Sequence, residues 1–332
     1  MKISVLLLLV LCSLFSCKVA EEKSAPTIGS IERLDPSLDQ LINSSATIEI
    51  LSDGYDWSEG PVWVESQKML LFSDVPTNTV YKWTEQDSIQ VFLKPSGYTG
   101  QTASNSKEEG SNGLALNTDG KLVLCQHGDR RLAVLDAPLN SPQSTFTTLA
   151  GTYEGKKFNS PNDVAVRRNG DYFFTDPPYG LPENVAQEIP FQGVYKLSNG
   201  TVTLLVDTLT RPNGIALMPD EKTLVIANSD KAKAMWYVYD LNENDSLANG
   251  RIFHDATEAA KTESGLPDGL KIDSQGNVFA TGPGGVWIFN RDAKLIGKIK
   301  LPEATANCAF SADDKTLFIT SNNYLLRLKM RD

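Results

Sequence analysis

The sequence predicts an all-β protein, a six-bladed β-propeller with four-stranded blades and a short N-terminal helix. Three observations carry the prediction. One pattern recurs six times in order: a small polar opening, a period-2 apolar strand, a tight turn and a second apolar strand. The openings lie 39 to 55 residues apart, which leaves room for two further strands per unit. One more apolar strand precedes the first copy, while the last copy runs into the C-terminus.

Length and composition set the frame. With 332 residues and 41% hydrophobic content the chain can bury a large core. A formal charge of -10 makes a nucleic-acid backbone or an anionic membrane face a poor partner, because both repel it at long range. Residues 1–17, MKISVLLLLVLCSLFSC, carry one lysine, an apolar run from Ile3 to Phe15, and then Ser16 and Cys17. That run is too short to span a bilayer and has the shape of a bacterial export signal. Its ending is similar to a lipobox, in which Cys17 is acylated and anchors a periplasmic or membrane-attached lipoprotein. Phe15 is bulky for that motif, so ordinary cleavage and secretion stay open. Residues 18–34 are polar, show no apolar face and read as a tether. The folded domain is expected over 35–332.

That domain opens with DPSLDQLI at 35–42, where Asp35 as cap, Pro36 at the first helical position and Leu38, Leu41 and Ile42 on one face predict a short docking helix. ATIEILSDG at 46–54 reads as a strand. The copies follow: EGPVWVESQKMLLFSD from Glu59, SNGLALNTDGKLVLCQHG from Ser111, PNDVAVRRNGDYFFTD from Pro161, PNGIALMPDEKTLVIANSD from Pro212, PDGLKIDSQGNVFATG from Pro267 and ANCAFSADDKTLFITSN from Ala306. Their turns, ESQK, NTDGK, RNGD, MPDEK, DSQGN and SADDK, offer Gly, Asn or Asp where a hairpin needs positive φ. TVYKWTE, RLAVLDA, GVYKLS, WYVYDLN, GVWIFNR and YLLRLKM supply further strands. A propeller must join its terminal blades, so the strand at 46–51 is expected to pair as the outermost strand of the last one. A pair of β-sandwiches would not demand the same opening in every unit. Cys125 and Cys308 lie in or beside apolar runs of different copies and are expected as buried free thiols; a bridge between them stays open, since spacing carries no geometry.

In a propeller the innermost strand of each blade lines the central channel, so a residue just before it points at the axis. Here those residues are Glu59, Asn112, Asn162, Asn213, Asp268 and, in the sixth blade, Asn307 or its neighbours. Two carboxylates meeting amide oxygens in a confined place repel one another unless a cation sits between them. Oxygen donors without Cys or His suit Ca2+, with Mg2+ or Mn2+ as alternatives, and disfavour Zn2+. The competing reading treats Asn-Gly and Asp-Gly as local turn formers. It must then explain why a Glu, three Asn and an Asp stand in register.

At these residues the chain resembles the group of six-bladed, metal-dependent propeller hydrolases comprising gluconolactonase, regucalcin (senescence marker protein) and diisopropyl fluorophosphatase. The resemblance spans about residues 31–330 and rests on SEGPVW, SNGLAL, SPNDVAV, YFFTDPPYGL, RPNGIAL and LPDGL; with LKPSGYTG at 93–100 it looks nearest to bacterial gluconolactonases. It implies a metal, commonly Ca2+, held by Glu59, Asn213 and Asp268, with Asn162 as a further ligand or a substrate contact. It also implies that Asp268 serves as general base for the attacking water while the ion polarises a lactone carbonyl. Regucalcin has a substrate-contacting Arg two residues before the third-blade Asn, where this chain has Ser160, so a different substrate pocket is expected.

Other side chains are expected at the same mouth. Asn112 and Asn162 face substrate, and His127 ends a second strand, placed either to contact substrate or to bond nearby GDRR. The loop 97–111 is either a lid contributing Tyr98 or a plain excursion. Asp176 is expected to fix its own loop, Trp57 and Trp63 to be core, and His254 to stand outside the site. Two function classes follow: a hydrolase opening a sugar lactone, or a non-catalytic, metal-stabilised propeller offering its face to a glycan or protein.

Overall fold

The computed structural model describes residues 25–331. The expected export signal with Cys17, and the first part of the expected tether, lie outside them. Among the described residues no helix is long and apolar enough to cross a membrane.

Each sequence copy becomes one antiparallel sheet. Blade 1 runs Ser58–Val64, Met69–Asp74, Thr79–Thr84 and Ser88–Leu93 in that spatial order. Blades 2 to 5 begin on the inner strands Ser111–Leu116, Val164–Val166, Pro212–Leu217 and Leu270–Ile272. Blade 6 begins on Thr305–Phe310 and continues with Thr316–Ser321 and Tyr324–Lys329. Its fourth strand is Ile48–Asp53, antiparallel to Tyr324–Lys329 with Ile48 opposite Leu328. A strand from ahead of the first blade thus completes the last, and hydrogen bonds close the circle as expected.

The packing shows why the second and third strands of each blade are largely apolar on both faces. Six hydrophobic clusters occur among the described residues, one between each pair of consecutive blades. Period-2 alternation sends neighbouring residues into different clusters. Phe174 faces blade 2 with Val123 and Cys125, whereas Phe173 faces blade 4 with Ile215 and Ile226. Leu71 packs on blade 2, and Leu70 and Phe72 pack on Phe318 and Leu325 of blade 6. Cys125 and Cys308 are buried free thiols in two different clusters.

The six inner hairpins each contain one residue at positive φ: Lys68, Gly120, Gly170, Glu221, Gly276 and Asp314. Gly fills half of these positions. In the other three, Lys, Glu and Asp adopt the left-handed conformation.

The N-terminal segment departs from expectation in two ways. Ser30–Arg33 is no tether: it adds a fifth strand to blade 5, with Ile31 opposite Ile299, and Ile28 and Ile31 pack on the cluster between blades 5 and 6. Two isoleucines are too few to show a period, yet they suffice to cover an open strand edge. The helix is a single 3-10 stretch, Pro36–Gln40, capped by Asp35, whose side chain accepts from Ser37 N at 2.9 Å. Five residues are too few for a run of α-helical bonds. Leu38 and Ile42 are fully buried and seat it on the same cluster.

Candidate functional site

The opening residue of each blade leaves strand geometry. In blades 1, 2, 4 and 6 the inner hairpin carries a register shift at this point, between Glu59 and Val62, Ser111 and Leu114, Pro212 and Ile215, and Thr305 and Asn307. In blades 3 and 5 the strand starts only after Asn162 and Asp268. An irregularity of this kind re-aims a side chain. Here it turns six of them toward one another.

Their contacts run from blade to blade. A Cβ on Gly60 would lie 2.1 Å from the Asn112 carbonyl oxygen, and one on Gly113 2.7 Å from that of Asn162. Asn162 Nδ2 donates to Asn213 Oδ1 at 2.5 Å. A Cβ on Gly214 would lie 2.2 Å from the Asp268 carbonyl oxygen, and one on Gly269 2.0 Å from Asn307 Cγ. Asn307 Nδ2 faces Glu59 Oε2 at 3.4 Å, which returns to the start. Glu59, Asn112, Asn162, Asn213, Asp268 and Asn307 therefore form a closed ring around the pseudo-symmetry axis. Of the four glycines only Gly60 has a left-handed φ, +51°; Gly113, Gly214 and Gly269 are required because the next blade leaves no room for a side chain. Turn formation does not account for them.

Hydroxyls at the second-strand ends lock the arrangement. Ser73 Oγ donates to the Asn112 carbonyl at 2.9 Å, Thr175 Oγ1 to that of Asn213 at 2.7 Å and Thr281 Oγ1 to that of Ala306 at 2.9 Å. Beyond the ring, a cavity of about 380 Å³ along the inner strands of blades 1 to 5 is lined by Val62, Leu114, Val164, Ile215 and Ile272, with Arg168, Glu221 and Lys271 as its charged members.

The ring is electrostatically loaded. Burial pushes the Glu59 carboxyl up, and the charge of Asp163 adds to it; the Asp268 carboxyl is pushed well up by burial and then by Glu59 and Asp163. Asp268 Oδ1 and Asn112 Oδ1 are shielded from solvent without a protein donor. Among the described residues no three of His, Cys, Asp and Glu stand close enough to hold a metal. The oxygen set is instead two carboxylates and several carboxamides, and acceptors lacking donors beside repelling carboxylates fit a hard cation.

Sequence reasoning missed two charged neighbours. Asp163 is buried directly after Asn162, where the other blades place Gly or Cys; Val164 N donates to its Oδ1 at 2.8 Å. Lys271 Nζ donates to Asn307 Oδ1 at 3.1 Å, and its charge pulls the Asp163 and Glu59 carboxyls down against the effect of burial. The missing glycine in SPNDVAV was the available signal for Asp163.

His127 reaches the ring. It is fully buried, with Nε2 3.2 Å from Asn162 Oδ1 and Nδ1 3.4 Å from Glu108 Oε2. Glu108 belongs to the loop 97–111, which is tied across the molecule by Ser106 Oγ donating to the Gly180 carbonyl and by the Lys107–Glu183 ion pair. Tyr98 sits elsewhere on that loop: its hydroxyl pairs with Thr102 Oγ1 at 3.1 Å, its carbonyl accepts from Asn78, and it touches none of the six axial residues. Asp176 accepts from Asn159 N and Ser160 N, each at 2.8 Å, and so fixes its loop. Trp63 stacks on Phe318, and His254 packs among Trp236, Trp287 and Phe289, away from the ring. Trp57 is only half-buried and makes no aromatic contact like that of Trp63. A groove of about 680 Å³ between blades 4 and 5, lined by Met218, Phe253 and Arg291, contains none of the six axial residues. Volume does not mark the site; the converging oxygens do.

Comparison with known proteins points the same way. Residues 57–323 match the family described as SMP-30/Gluconolactonase/LRE-like region. The chain is similar to a gluconolactonase from Zymomonas mobilis, 38% identical over 314 residues that cover 92% of this chain and 87% of that protein. It is similar to regucalcin from Xenopus laevis at 28% identity, covering 84% and 87%. Among solved structures, a gluconolactonase from Xanthomonas campestris superposes with a TM-score of 0.80 at 29% identity, covering 94% of this chain and 99% of that one. A calcium-binding regucalcin from Agrobacterium tumefaciens, with a TM-score of 0.63 at 17% identity over 85% and 94%, shares the fold.

Proposed function

Because the chain belongs to the SMP-30/Gluconolactonase/LRE-like family, we propose that it is a lactone-hydrolysing enzyme that opens a sugar lactone with the help of one divalent cation, Ca2+ ahead of Mg2+ or Mn2+. The observation that carries the reading is the closed ring itself, with Asp268 Oδ1 buried, unpartnered and facing the Glu59 charge. Glu59, Asn213 and Asp268 would hold the ion, with Asn162 beside them. When bound, it supplies positive charge that polarises a carbonyl and neutralises the oxyanion formed as water adds.

The chain's own residues account for the rest. Asp268 takes a proton from water at Oδ1 as the water oxygen bonds to the lactone carbonyl carbon. Collapse breaks the ring C–O bond, and the leaving oxygen receives the proton, giving the open hydroxy acid. Asn112 and Asn162 present amide groups to the bound lactone. His127, with Glu108 near its other ring nitrogen, steadies Asn162 from the side.

The partner is a small molecule, and export places the enzyme outside the cytoplasm, with Cys17 as the anchoring residue of a periplasmic or membrane-attached lipoprotein and the folded domain beginning at Ser30, whose strand completes blade 5. Purified protein assayed on glucono-1,5-lactone is expected to release acid, and to stop when a chelator is added. Absence of metal-dependent turnover on lactones would instead favour a non-catalytic propeller.

A further inference from the structure

One position repeats in every blade, two residues before the axial one. It is occupied by Trp57, Gly110, Ser160, Arg211, Leu266 and Thr305, and Arg211 alone is charged. In blade 3 the equivalent Ser160 is turned inward: its hydroxyl donates to the Pro177 carbonyl at 2.6 Å and accepts from Gly180 N at 2.9 Å. Arg211 instead is exposed at the rim.

Its backbone is held from both sides. Arg211 N donates to Asn228 Oδ1 at 2.8 Å, and its carbonyl accepts from Ser229 N at 2.8 Å. The guanidinium carbon stands 5.5 Å from the centre of the Tyr179 ring, a cation-π placement. Asp230 feels its charge, but the guanidinium makes no salt bridge among the described residues. The Tyr179 hydroxyl lies beside Ser229 and Arg211 and faces the Asp268 charge. Ser229 Oγ accepts from Asn213 Nδ2 at 3.1 Å and donates to the Pro267 carbonyl. Arg211, Tyr179, Ser229, Asn213 and Asp268 thus form one continuous polar path from rim to ring.

We propose that Arg211, backed by Tyr179, is a specificity-determining residue that grips the hydroxyl oxygens of a polyhydroxylated lactone while its carbonyl lies at the ring. The inference rests on the lactonase reading above. An Arg side chain offers five donors in a planar fork and no acceptor, which matches the lone pairs of adjacent sugar hydroxyls. Stacking on Tyr179 orients the fork in advance, so less side-chain freedom is lost when the sugar binds. A lactone without hydroxyls gives this fork nothing to hold.

The test compares wild type, Arg211→Met and Arg211→Lys on glucono-1,5-lactone and on δ-valerolactone, which has the same ring without hydroxyls. For Arg211→Met the KM for glucono-1,5-lactone is expected to rise about tenfold, the loss of one to two good hydrogen bonds, with kcat within about twofold. Arg211→Lys should fall between, and the constants for δ-valerolactone should not move. An unchanged KM for glucono-1,5-lactone in Arg211→Met, or equal losses on both lactones, would overturn the assignment. A wild-type protein that turns over neither lactone would remove the lactonase reading and this inference with it.

Discussion

Glu59 and Asp268 are the two axial residues whose charge an amide cannot replace. Glu59→Gln and Asp268→Asn keep nearly the same volume, so each should lower kcat on a lactone by about a hundredfold or more. Neither should lower the thermal midpoint of chelator-treated protein, because each removes a buried, repelled charge. A steady-state assay paired with calorimetry checks both halves; a variant at full rate would leave the site. Five of the six axial residues were legible in the sequence because the opening recurs in register, and Asn307 was legible only to within a residue. Asp163 had only the missing glycine of SPNDVAV as its signal, and Lys271 and Glu108 had none. Lys271 sits in a period-2 strand where alternation hides a residue directed along the channel, and Glu108 comes from a polar loop whose path across to Gly180 no local pattern records.

At the scale of elements, the fold depends on close approach at the ring and on ordinary turn geometry elsewhere, and two glycine substitutions separate these. Gly214→Ala places a Cβ 2.2 Å from the Asp268 carbonyl oxygen, so the two inner strands must shift. It should cost about 1–3 kcal/mol in denaturant unfolding and reduce activity with it. Gly120→Ala, at φ +74° with nothing within 4 Å, carries only the left-handed penalty of about 1–2 kcal/mol and should leave activity intact. Equal effects on activity would place the ring elsewhere. The hairpins, the third strand of each blade and the strand that closes blade 6 were readable from alternation and turn residues, whereas the fourth strands of blades 1 to 5 were expected only from the spacing. The fifth strand of blade 5 was not, since Ser30–Arg33 is defined by the edge it covers rather than by its own composition. The helix followed its cap and its Pro36, while its 3-10 character follows from length.

For the molecule as a whole, closure is the organising fact. Six clusters, one per blade interface, are continuous round the circle, and the interface between blades 5 and 6 is the one that the N-terminal segment also seals. Leu38→Ala, which empties a fully buried position there, should cost about 2–5 kcal/mol although it is remote from the axial ring. Activity per folded molecule should be unchanged, as measured by turnover below the midpoint; a loss of kcat without a loss of stability would show that this interface shapes the ring. The closed circle is what gathers six residues, separated by up to 248 positions in sequence, around one axis. The most direct measurement of that claim is a calorimetric titration of chelator-stripped protein with Ca2+. One ion per chain is expected for the wild type, and none for the Glu59→Gln, Asp268→Asn double variant. A wild type that binds no divalent ion, or a double variant that binds one as tightly, would contradict it.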